Sequence, residues 1–215
     1  MIKFSVIATL IIVAISPLTS YANELQVDYK TFYSHVRKLS GEDTQALQFA
    51  FGFMNIHTNQ LCTINEARIS TQKVQMPITV TPENRFTIPK EKALRLADAK
   101  VILNLEEANN ICDISVQLET KPEYIKTQYP ESELQFLYEQ YQAFFNEMGS
   151  FMSFMMPQVN GLTIQFEDKT LNRALSNGMR IQDGLLTLAP EDFKMIDRIN
   201  LPEAPLRITA KTTKS

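Results

Sequence analysis

Between residues 47 and 119 the chain returns again and again to short runs in which apolar and polar side chains alternate, and this two-residue period constrains the fold more than any other feature. Leu47, Phe49, Phe51 and Phe53 alternate with Gln48, Ala50 and Gly52, so one side of a strand carries an aromatic row. Further runs rich in Ile, Val, Thr and Phe cover 59–71, 76–81, 85–88, 99–105 and 111–119, and Pro82-Glu-Asn84 supplies a hairpin turn between two of them. Strands this short and this frequent predict an antiparallel sandwich or a strongly bent sheet. Ahead of them, Phe32, Tyr33, Val36 and Leu39 share a helical face, which predicts a short helix over 29–39 ended near Gly41. His35 reads as a solvated residue of that helix, and His57, in the connection 55–60, as a polar turn residue.

The two cysteines sit inside alternating runs. Cys62 shares a face with Ile64, and Cys112 shares one with Ile114 and Val116. The expectation is a structural disulfide across or between sheets, with two buried free thiols as the alternative. A redox centre would need a low-pKa thiolate, typically in a C-x-x-C pair at a helix start, and the chain has none. A metal centre would need more ligands than His35 and His57, which stand at no ligand spacing.

The second half opens on the most regular feature of the chain. Pro130 falls near a first helical turn, with Glu131 and Glu133 placed well against the helix dipole. Leu134, Leu137, Tyr141, Phe144, Met148, Phe151 and Met155 then follow at alternating steps of three and four, widened by Tyr138, Phe145 and Met152, until Pro157. Such a wide seam suits packing on a sheet, and a helix partner in the same or another molecule is the alternative. Beyond it, Asn160-Gly161 precedes a strand at 162–166, Asp183-Gly184 reads as a hairpin turn between 179–182 and 185–188, a short helix is expected over 189–198, and 206–211 alternates as a last strand.

The first residues carry a targeting pattern. Lys3 is the only early positive charge, the run from Phe4 to Ile15 is apolar except for Ser5 and Thr9, and Ser20 and Ala22 are small residues at the positions a signal peptidase reads. The expectation is a secretory signal peptide, 1–22, cut after Ala22, leaving no transmembrane span and a periplasmic chain. A formal net charge of −3 with scattered Lys and Arg offers no footprint for nucleic acid.

Asp28-Tyr-Lys-Thr-Phe-Tyr33, Thr58-Asn-Gln-Leu-Cys-Thr-Ile64 and the second cysteine in Ile111-Cys-Asp-Ile-Ser115, following a signal peptide, resemble the exported Gram-negative proteins of domain-of-unknown-function family 2987. The resemblance implies a periplasmic location and supplies no catalytic residues.

Motifs for catalysis are lacking: there is no G-x-S-x-G, H-E-x-x-H, P-loop or G-x-G-x-x-G, and six glycines leave little for phosphate-cradling loops. The acid pairs Glu106-Glu107 and Glu191-Asp192 could serve a glycosidase, but adjacent carboxylates are more usual at solvated edges and helix starts. The sequence therefore predicts an α+β protein: a short helix and a β-rich, sandwich-like unit over 23–121, then a long amphipathic helix packed on further antiparallel strands over 122–215, the two forming one globular body. Its expected role is that of a non-enzymatic binding or accessory module, with no catalytic residue, cofactor or metal. The candidate surface is Met148, Phe151, Met152, Met155 and Met156, facing a protein partner or an apolar ligand in the periplasm. Met148, Met152 and Met155 would also suit Cu(I), yet no His or free Cys is interleaved with them and Phe fills the gaps. The alternatives are an envelope structural protein that self-associates as a homodimer through the 134–155 helix, and a hydrolase using dispersed carboxylates.

Overall fold

The computed structural model describes residues 23–149, 157–195 and 197–213. Among these, every strand pair is antiparallel and the class is α+β. Strands β1 (Asn23–Asp28), β5 (Lys100–Leu105), β3 (Ile64–Ser70) and β4 (Gln75–Ile78) make a four-stranded sheet in that order, while β2 (Leu47–Asn55) and β6 (Cys112–Thr120) make a separate ribbon. In the second half β8 (Val159–Gln165) is the middle strand between β11 (Leu185–Leu188) and β13 (Arg207–Thr212). Two short pairs complete the strands: β7 (Gln128–Pro130) with β12 (Arg198–Asn200), and β9 (Arg173–Ala174) with β10 (Arg180–Ile181). The described helices are α1 (Tyr29–Val36), α2 (Lys92–Leu96), α3 (Glu131–Gly149) and α4 (Pro190–Phe193). None is long and apolar enough to cross a membrane.

The aromatic row of β2 is the centre of the core. Phe51 meets Phe32 of α1 edge-on at 4.9 Å, and Phe49 meets Phe144 of α3 edge-on at 5.7 Å, so helices from both halves of the chain cover one face of the ribbon. Burying each ring is worth roughly 1.5–3 kcal/mol. Helix α3 lies with Leu134, Leu137, Tyr141 and Phe144 buried, as its three-and-four spacing predicts. Polar side chains fix its position. Tyr141 donates its hydroxyl proton to the Ile208 carbonyl of β13 at 2.6 Å and lies 3.0 Å from the Thr120 hydroxyl at the end of β6. Gln140 accepts from Ala46 N–H at 2.9 Å and donates to the Glu42 carbonyl at 3.1 Å. Tyr141→Phe would strand both partners of a buried hydroxyl, and urea unfolding is expected to show a loss of about 1–3 kcal/mol.

Cys62 and Cys112 are joined, with Cα atoms 6.4 Å apart. Cys112 opens β6 opposite Asn55, and the Cys62 N–H donates to the Phe53 carbonyl, so the bridge links the two segments that flank the end of β2.

Several boundaries differ from the sequence-based expectations. The run 59–71 is not one strand: Asn59 has φ 54°, Asn55 Oδ1 caps the N–H groups of His57 and Thr58, and pairing in β3 starts only at Ile64. Pro130 stands directly before α3, near the first helical turn as expected, and also ends β7, because Arg198, expected at the end of a helix, is extended and pairs with it. The helix expected over 189–198 is the single turn of α4. Asn160-Gly161, expected just ahead of a strand at 162–166, is already part of β8, at a bulge facing Lys211 and Thr212. Gly161 has φ +148°, and a Cβ there would stand 2.0 Å from the Leu188 carbonyl oxygen, so only glycine fits. Asp183-Gly184 does form the expected tight turn, with φ 49° and 71°, between mutually bonded Gln182 and Leu185.

Candidate functional site

Phe151, Met152, Met155 and Met156 of the expected apolar surface lie outside the described residues. Met148 is 39% exposed, although the four seam residues before it are buried. It borders an open hollow of about 340 Å3 whose other walls include Arg37, Lys38 and Glu147, a setting more polar than the sequence suggested.

A site with more internal structure lies on the second face of the β2–β6 ribbon. The strand register places Gln48 opposite Glu119, Ala50 opposite Gln117 and Gly52 opposite Ser115, so this face is small and polar where the other is aromatic. The hairpin 79–87 pairs with the other edge of β2 at Phe51, and its turn comes close to this face at Gly52. Its turn is closed by hydrogen bonds from Thr81 N–H to the Arg85 carbonyl, at 2.7 Å, and from Asn84 N–H to the Thr81 carbonyl, at 2.9 Å. Gly52 permits the approach: a Cβ there would lie 3.0 Å from the Asn84 carbonyl oxygen and 3.2 Å from a Leu61 methyl. Phe86 exchanges both backbone hydrogen bonds with Phe51, and its ring joins the core beside Phe32. Alternation then turns Arg85 toward the polar face.

Arg207, at the start of β13, reaches the same face from the second half of the chain. Its Nη1 donates to Gln117 Oε1 at 2.8 Å and lies 3.6 Å from Glu119 Oε2, and its Nη2 is ion-paired with Glu83. Glu119 also accepts from Gln48 Nε2 at 3.0 Å. Arg85 differs. Only 9% of it is exposed, yet both its Nε and its Nη1 have no hydrogen-bond partner among the described residues, where Arg207 lacks one at Nε alone. Burial, and then the neighbouring charge of Arg207, hold its pKa below the ordinary guanidinium value, with Glu119 and Glu83 acting in the opposite sense.

Beside Arg85 opens a cleft of about 410 Å3 between the hairpin, the ribbon and the C-terminal sheet. Ala50, Phe86, Pro122 and Leu206 give it apolar walls, Thr79, Thr81 and Thr87 contribute hydroxyls, and the exposed carboxylate of Glu167 stands among its lining. A hollow of about 470 Å3 along β3 and β4 has a different character, since its guanidinium, Arg68, is bonded to Glu24 at 2.8 Å.

The other sequence candidates have structural surroundings. His35 is half-buried, edge-on to Phe49 and Phe51, rather than solvated, and burial lowers its pKa. His57 is exposed in its turn. Glu107 accepts from Thr63 N–H at 2.8 Å beside the disulfide, and Asp192 caps Ala189 N–H at 2.7 Å. The Glu107 carboxylate and the two cysteine sulfurs form a three-member cluster, but the sulfurs are bonded to each other and are not free ligands.

A family model described as "Protein of unknown function (DUF2987)" matches residues 21–166. The chain belongs to this family. In this DUF2987 chain the matched span holds both cysteines, the 79–87 hairpin and the ribbon, whereas Glu167, Leu206 and Arg207 lie beyond it. No curated protein and no solved structure matches the chain.

Sequence reasoning missed the cleft. Arg85 read as the first residue of a strand, and Arg207 fell without comment inside the last one, 206–211. The available signal was the row Gln48, Ala50, Gly52 on the back of an aromatic strand, too small and too polar for ordinary core.

Proposed function

We propose that this chain is a non-enzymatic, exported binding module that takes a small ligand into the cleft beside Arg85. One observation carries the reading: a guanidinium nine-tenths buried, with two N–H-bearing nitrogens unpartnered, beside an open space of about 410 Å3. Burying a charge without its hydrogen bonds is unfavourable for folding, so such a group is accounted for by what it binds. The volume falls in the range of small-molecule pockets. Export is supported by the leader pattern of 1–22 and by a disulfide, which suits an oxidising compartment.

A hydrolase using dispersed acids has less support. Glu24, Asp28 and Asp168 have lowered pKa values, first through hydrogen bonds with Arg68, Lys100 and Thr170 respectively, the reverse of the raised value a general acid needs. A partner surface at the end of α3 remains the second reading, favoured by the exposure of Met148. In that case Met152→Ala with Met155→Ala would weaken partner binding more than thermal stability.

The test is native mass spectrometry of the mature protein after incubation with a small-molecule extract of the periplasm. The expected result is a small-molecule adduct on the wild type that is missing from Thr87→Trp, which fills the cleft from an exposed position. Bare masses for both, or an adduct on both, would contradict a ligand in this cleft.

A further inference from the structure

Resting on that reading, we infer that the group received by Arg85 is a single carboxylate, carried on a short apolar body. A guanidinium binds planar oxyanions through its edges, the side-on edge formed by Nε and one Nη and the end-on edge by the two Nη groups. Nε lies on one edge and Nη1 on the other; both are unpartnered, and neither has appreciable exposed surface. A carboxylate against either edge accepts two hydrogen bonds in one plane, one from Nη2 and one from Nε or Nη1, and so supplies a partner that the fold withholds.

The charges around the cleft select among anions. Arg85 and Arg207 are opposed by Glu83 and Glu119, so the four formal charges cancel, and Glu167 adds a negative charge among the lining residues. A monoanion adds the least repulsion to such a site, and a phosphate dianion adds twice as much. Glu83 and Glu119 are also engaged by Arg207, which leaves Arg85 as the described cation of the lining with donors to spare. Ala50, Phe86, Pro122 and Leu206 give the cleft apolar walls beside its hydroxyls, which fits a short aliphatic or phenyl-bearing acid.

The experiment titrates the full mature protein with hexanoate and phenylacetate, with their amides hexanamide and phenylacetamide, and with inorganic phosphate. Calorimetry gives the affinities, and the Nε–H resonance of Arg85 is followed by NMR, assigned by its loss in Arg85→Lys. At least one acid is expected to bind about tenfold or more tighter than its amide, to move the Arg85 Nε–H signal, and to lose that preference to within about twofold in Arg85→Met. Equal affinity for acid and amide, both abolished by Thr87→Trp, would overturn the carboxylate assignment while leaving the cleft as a binding site. Phosphate binding tighter than either acid would overturn it in favour of a dianion. Acids that bind Arg85→Met as well as the wild type, or that leave both the heat and the Arg85 signal unchanged, would also overturn it.

Discussion

Arg207→Met is expected to lower the free energy of unfolding by about 3–4 kcal/mol, because breaking a buried ion pair from one side leaves the partner charges desolvated and unpaired. Arg207 is 6% exposed and holds Gln117, Glu119 and Glu83 together. Methionine keeps most of the stem and removes the charge, so the loss reports on the pairing rather than on a cavity. The value sits in the lower part of the range for such pairs because the Glu83 side chain keeps 31% of its exposure and can be rehydrated. Arg207 also joins β13 of the second half to the ribbon and hairpin of the first. The fall in melting temperature should be roughly 10 °C for a chain of this size. Adding Glu83→Gln and Glu119→Gln to Arg207→Met should recover part of the loss, since the uncompensated charges are then gone; a triple variant no more stable than the single one would show that the ion pairs are not the cause.

Removing the disulfide has a comparable expected effect. The bridge closes a loop of 50 positions, and in the chain-entropy view this restricts the unfolded state by about 4 kcal/mol. Both cysteines are buried, Cys62 completely, so Cys62→Ala with Cys112→Ala keeps the surroundings apolar and isolates the loop effect. Urea unfolding of the double variant beside the oxidised wild type should show a loss of about 4 kcal/mol, with the difference vanishing when the wild type is fully reduced. A double variant as stable as the oxidised protein would mean that the linked segments are already held by the Cys62 N–H to Phe53 hydrogen bond and the β2–β6 ladder.

What could be read from the sequence follows from how local each signal is. The aromatic row of β2 and the three-and-four spacing of α3 from Leu134 to Phe144 are written in neighbouring residues, and the structure buries them as expected; the two cysteines pair, but Ile114 and Val116, expected on one inner face with Cys112, are exposed. Strand β1 was missed because Leu25 and Val27 are too few to show a period; its pairing with β5 comes from residues some eighty positions away. That Pro130 also ends a strand could not be read locally, because its partner, Arg198, is similarly remote. The cleft is the extreme case. Its cationic side chain, its lining and its ion pairs come from the 79–87 hairpin, β2, β6 and the start of β13, and alternation alone would turn both arginines toward solvent. Only the packing of one half of the chain on the other buries them.

The central claim is that Arg85 is kept for a ligand and not for the fold, and urea unfolding of Arg85→Met tests it most directly. Methionine preserves the stem that packs near Gly52 and removes a desolvated guanidinium with unpartnered donors, so the account predicts stability equal to the wild type or above it. A loss of about 3 kcal/mol or more, as large as that expected for Arg207→Met, would make Arg85 a structural arginine and contradict the account.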